Sequence, residues 1–248
     1  MASLRSWREA VDGLLGDLRA VFENRLRSLV VYEAHGALGD TPAADEGDLQ
    51  HGEHVHTLVV ADELSHADLA RLAPLSRAWT KRGLAVPLVL RTGEVRRSLD
   101  AFPLEFSQMM ARHVVITGES PFAGLAVADA DLRRACEAQA RSHLLHLRQG
   151  FVQTDGDPGA LARLVAASAP PLRALLVNIA RLYGVNARTP DALIHFASEH
   201  LHLPADTLRP VLRHQKSDRF HDLDVGAFFP GHLQTVERLV ALADEWKR

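Results

Sequence analysis

Two histidines are the residues of this sequence whose type and spacing most directly suggest chemistry. In "EHVHTLVV", His54 and His56 flank Val55 at the head of an apolar run. A run of that composition forms a strand, and strand alternation turns residues i and i+2 to one face. Two imidazoles on one face could share zinc or another transition metal, with His51 or His35 as a further ligand. Zinc takes three or four protein ligands, so the pair alone falls short of a usual site. The blander alternative is a polar strand mouth that meets solvent.

Other reactive side chains read more simply. Glu33, Asp40, Asp45, Glu46 and Asp48 lie mostly in a segment of small and polar residues, which reads as a solvated acidic loop. Asp62 falls beyond the strand and out of register with the histidine pair. His195 and His200 miss the i, i+4 spacing that would put them on one helical face, and His202 falls past the helix end. Cys136 has apolar neighbours at helical spacing and reads as core. "RTGEVRRSLD" reads as a solvated helix face, with steering of a phosphate ligand as the alternative.

The elements that must position these residues follow from periodicity. Residues 4–27 carry Trp7, Val11, Leu14, Leu18, Val21, Phe22 and Leu26 at helical spacing. A strand at 29–32 and a glycine-bearing loop come next, then an exposed segment over 40–53 and a strand over 55–61. Ser65 caps a helix expected to run to Arg82 with Leu69, Leu72, Leu75 and Trp79 inward, and Gly83 stops it. "LAVPLVL" is a third strand, in which Pro87, with no N–H to donate, favours an edge position or a bulge. A short helix over "TGEVRRSLDAF", an ambiguous "EFSQMMAR" and a strand "HVVIT" complete this part.

Strand signals then vanish. Leu132, Cys136, Ala140, Leu144, Leu147 and Phe151 form one long stripe, and Leu161, Leu164 and Val165 a shorter one. Pro170-Pro171 is expected to separate that stripe from a helix through Leu172, Leu175, Leu176, Ile179 and Tyr183. Thr189-Pro190 opens another helix, and a last one carries Val236, Leu239, Val240, Ala243 and Trp246. The fold class is therefore α+β: a mixed-sheet domain over 1–126 followed by an all-α helical bundle over 127–248.

Composition excludes several classes. The 248 residues carry a formal net charge of −3, which gives no drive toward phosphate backbones, so nucleic acid is not an expected partner. One cysteine fits a reducing compartment. No run reads as a membrane span, and charges interrupt the N-terminus where a signal peptide needs its apolar stretch. A cytoplasmic protein is expected.

The order of elements resembles the nucleotidyltransferase superfamily that includes DNA polymerase beta and kanamycin nucleotidyltransferase. "SLVVYEAHGALGD" takes the place of that family's strand–Gly-Ser segment, and "EHVHTLVV" the place of its Asp-x-Asp strand. "FPLEFSQMMARHVVITGESPFAGL" and "LLHLRQGF" further resemble an uncharacterised bacterial group labelled nucleotidyltransferase-like. The resemblance implies a nucleotide or small molecule as partner in an inter-domain cleft, and a homodimer. The apolar end of the last helix, with Trp246, would suit a partner copy.

The departures carry the functional expectation. Glu33, Ala34 and Gly36 stand at the cofactor-binding Gly-Ser position, where a glycine would admit a triphosphate and a serine would contact it. His54 and His56 stand at the metal-binding Asp-x-Asp position, and "LAVPLVL" lacks the third acid. Magnesium wants carboxylate and water oxygens, so it is not an expected cofactor here, whereas imidazole suits zinc-like metals. The expectation is a non-catalytic binding or scaffolding homologue. The alternative is an active enzyme moving a nucleoside monophosphate from a nucleoside triphosphate to a small molecule or protein. A third class is a metal-binding or RNA-processing protein. Arg141–His146 and Arg209–His214 match the Arg-x4-His spacing of HEPN-type ribonucleases, though Pro210 interrupts the second.

Overall fold

The computed structural model describes residues 5–32, 54–213 and 223–246. The chain divides into two compact units, Met1–Ala128 and Asp129–Arg248.

The first unit is built on a four-stranded mixed sheet. Helix α1 (Arg5–Phe22) leads through a short 3-10 turn into β1 (Leu26–Tyr32), and β2 (His56–Ala61) follows. Then come α2 (His66–Leu72), α3 (Ser76–Lys81), β3 (Leu88–Arg91), α4 (Thr92–Arg97), α5 (Pro103–Ala111) and β4 (His113–Gly118). The strand order is β3-β2-β1-β4. β1 runs antiparallel to both β2 and β4, while β3 runs parallel to β2.

Both faces of the central strands are covered, which is why β1 and β2 read as almost unbroken apolar runs. On one face Leu29, Val31, Val55, Val59 and Ala61 pack under Trp7, Val11, Leu14, Leu18 and Phe22 of α1, with Leu72 and Trp79. On the other, Val30, Leu58 and Val60 pack against Val95, Leu99, Phe106, Met109 and Phe122. β3 is an edge strand, and Pro87 lies just before it.

Local chemistry fixes the entry to α2. The Ser65 side chain accepts from the Asp68 backbone N–H, and the Asp68 carboxylate accepts in return from the Ser65 backbone N–H at 2.9 Å. Arg25, just before β1, donates to both carboxylate oxygens of Asp68 at 2.9 and 2.8 Å. Asp68 is 4% exposed, and these donors hold its carboxyl far below the usual carboxylate range.

Several expectations need correction. α1 ends at Phe22 and Leu26 opens β1, because Glu23 adopts a left-handed φ of 53° that breaks the helix. Val55 forms an isolated bridge with Leu84 instead of a strand residue. The helix expected over 66–82 is interrupted at Ala73–Leu75, where Pro74 leaves a 3-10 turn, and Leu69 faces solvent at 46% exposure.

The second unit is helical: α6 (Asp129–Gln153), α7 (Pro158–Leu182), α8 (Pro190–Leu201), α9 (Ala205–Arg213) and α10 (Val225–Glu245). α7 packs against α6, α8, α9 and α10 and supplies more of the core than any other helix of the unit. It runs unbroken through Pro170 and Pro171, where the sequence suggested two helices. Burial of its apolar residues on both sides of the prolines outweighs the missing backbone hydrogen bonds. α7 is also long and apolar enough to cross a membrane, with a mean hydropathy of 1.4 over its best window. Two-thirds of that window is buried inside the protein, as in a core helix. α9 had no counterpart among the expected helices. Thr189 caps α8 by accepting from Ala192 N, as its sequence indicates.

Candidate functional site

The site begins with the register of β1. Tyr32, its last residue, stands opposite His56 of β2 and opposite His113 of β4. Directly paired residues share a face, so the three rings form one row across three strands. The Tyr32 and His56 ring centroids are 5.9 Å apart. Tyr32 packs at the margin of the second core, on the side of Val30, Leu58 and Val60.

His54 and His56 bracket Val55, which is buried in the first core. Both histidines are half-buried. Burial lowers the pKa of His56, and the neighbouring His54 lowers it further. The neutral imidazole is thus favoured at His56. Burial raises the Tyr32 phenol, which keeps its proton and remains a hydrogen-bond donor. His113 Nε2 lies 2.9 Å from Ser120 Oγ, and its ring meets the edge of Phe122 at 4.9 Å. His113 Nδ1 is buried without a partner. The row therefore offers imidazole nitrogens and a phenol hydroxyl and no carboxylate.

Three described acids near the sheet, Asp62, Glu94 and Asp68, are engaged elsewhere. Asp62 pairs with Arg27, whose Nε lies 2.6 Å away, and it also accepts from Thr92 at 3.3 Å. Glu94 pairs with Arg91 and caps α4. Asp68 is committed to Arg25 and Ser65. β3 carries no acid. Among the described residues, no group of three or more His, Cys, Asp or Glu side chains could hold a metal ion. An imidazole pair does not fit magnesium, which prefers hard oxygen ligands.

Glu33, Ala34 and Gly36 lie outside the described residues, as do His35, Asp40, Asp45, Glu46, Asp48, His51 and His214. Arg141 is engaged by Asp244 and Glu137, and His146 is exposed. His195, His200 and His202 are exposed, and His202 is the left-handed C-cap of α8. Cys136 is fully buried, and burial pushes its thiol up to about 12, so it is no nucleophile.

Sequence reasoning missed Tyr32 and His113. The one signal was that both stand at strand ends, but only the sheet order brings those ends together.

A mixed sheet covered on both faces, followed by a helical bundle, is a nucleotidyltransferase-like fold. The solved structures that it resembles include spectinomycin adenyltransferase AAD(9) from Enterococcus faecialis, crystallised with ATP and spectinomycin. The TM-score is 0.54 at 12% sequence identity, covering 94% of this chain and 98% of that one. No family model and no curated protein matches the sequence.

Proposed function

We propose that this chain keeps the nucleotidyltransferase fold as a binding or scaffolding protein and has given up metal-dependent transfer. The observation that carries the reading is the chemistry of the β1–β2–β4 row. By the family resemblance, imidazoles take the place of the metal carboxylates, and Asp62, Glu94 and Asp68 near the sheet are tied to arginines or cap helices. Nucleotidyl transfer relies on divalent metals to bridge phosphates and stabilise the leaving group. Losing one stabilising group costs about two to three orders of magnitude in rate, and the described residues of this site supply no carboxylate ligand set.

The test is transfer from ATP, GTP, CTP or UTP with magnesium or manganese, run beside nucleotide binding by calorimetry. The expected result is no transfer by the unmodified protein. Robust transfer that disappears in the His54→Ala/His56→Ala pair would overturn the reading.

The second reading is an active transferase acting on a small molecule. It is favoured by the AAD(9) structure, which holds ATP together with spectinomycin. ATP with spectinomycin as acceptor is the first pair to assay. We also propose a cytoplasmic homodimer that binds no nucleic acid. Light scattering across a concentration series checks the dimer, and an invariant monomer mass removes it.

A further inference from the structure

Two histidines that no sequence pattern singled out are buried in the helical unit. His143 on α6 is 7% exposed, and His232 on α10 is fully buried. Ser168 on α7 fixes the tautomer of the second. Its hydroxyl donates to the Val165 carbonyl at 2.7 Å, so toward His232 Nε2, 3.2 Å away, it can only accept. His232 therefore carries its proton on Nε2 and leaves Nδ1 as a bare lone pair. That Nδ1 is buried without a hydrogen-bond partner, and so is Nε2 of His143.

An imidazolium needs an acceptor for both of its N–H groups. Each of these rings has one nitrogen with nothing to receive its proton. The charged groups around them give no relief. His143 acts on His232, and His146 acts on His143, each opposing protonation. On α10, Glu237 and Asp244 are held at the surface by Arg148 and Arg141 of α6. On α7 the buried charge is Arg173, another cation, bonded to the Arg188 carbonyl. α9 meets α10 here through neutral groups, Thr207 and Thr235 at 2.7 Å. Among the described residues no carboxylate pairs with either imidazole. Burial holds both well below the ordinary histidine value, at about 4.

We infer that His143 and His232 make the helical unit an acid-sensitive module, which opens in mild acid while the sheet unit stays folded. An opened helical unit takes up a proton at each histidine from about pH 6.5 downward, whereas the closed unit does so only near pH 4. The bundle is therefore fully stable above pH 6.5 and loses stability progressively toward pH 4. Between pH 7 and 5 the opening equilibrium shifts by roughly twenty-fold per histidine, several-hundred-fold for both. In the sheet unit His56 and His113 are only half-buried, and none of its described histidines is buried as His143 and His232 are. Its Arg25–Asp68 clasp stays ionised throughout this range, because the Asp68 carboxyl is held far below it.

Hydrogen exchange of the full chain, corrected for intrinsic rates, tests this from pH 7.5 to 4.5. Peptides of α6, α7 and α10 are expected to lose protection by roughly the factor above between pH 7 and 5, while β1, β2 and α1 keep theirs. His143→Leu and His232→Leu should each remove about half of the loss on a logarithmic scale. Equal loss in both units, retention of the bundle at pH 4.5, or full acid loss in the double variant would overturn the proposal. If the variants fail to fold, imidazole proton resonances of the unmodified chain decide it. Both rings must stay neutral in the closed form at pH 5.5, and a midpoint near 6.5 for either sinks the idea.

Discussion

Tyr32 stands directly across from His56, with their ring centroids 5.9 Å apart, and His113 stands on its other side. His56 is thus more than a surface residue. Its half-buried position beside Tyr32 makes its replacement costlier than a surface substitution. His56→Ala is expected to destabilise by about 1 kcal/mol through lost ring contact, with folding intact. Urea unfolding followed by circular dichroism checks it. A loss above about 3 kcal/mol would show that the ring is a structural keystone of the sheet.

Asp68 accepts from Arg25, the Ser65 backbone N–H and the Ser65 hydroxyl. Asp68→Ala removes the helix cap and leaves a guanidinium without its carboxylate. The expected loss is about 2–4 kcal/mol in the sheet unit. The folded carboxyl is depressed, so the clasp contributes fully above the unfolded value of 3.8 and is lost as pH falls below it. Unfolding midpoints of the variant and the parent should separate fully by pH 6 and draw together as pH falls toward 2.

Gly118 ends β4 at φ +76°, and a Cβ there would sit 1.8 Å from the Arg27 carbonyl oxygen. Gly124 has a similar φ of +69° with open space around it. Gly118→Ala is therefore expected to cost more than about 3 kcal/mol, and Gly124→Ala about 1–2 kcal/mol from backbone conformation alone. Parallel urea titrations of the two variants measure the difference. Equal losses would mean that the β1–β4 ladder yields without strain.

Pro170 is exposed within α7, lacks an N–H for the Ala166 carbonyl, and crowds it. Pro170→Ala is expected to stabilise the helical unit by about 1–3 kcal/mol, since no core volume is lost. Thermal unfolding reads this as a higher Tm. A lower Tm would show that the proline sets a bend on which the packing of α7 depends.

What the sequence by itself determined was whatever depends on neighbours in the chain. The caps at Ser65 and Thr189 and the stop at Gly83 all follow from a few adjacent residues. The near-continuous apolar runs of β1 and β2 likewise exposed the sheet. The tertiary structure decided the rest, because those outcomes depend on residues far apart in sequence. Sheet order alone aligns Tyr32 with His56 and His113. Burial on both sides of Pro170-Pro171 carries α7 through a break that local propensity dictates. His143 and His232 look like ordinary polar residues until α6, α7 and α10 close over them, since a histidine's charge state is set by what surrounds it and not by its neighbours in the chain.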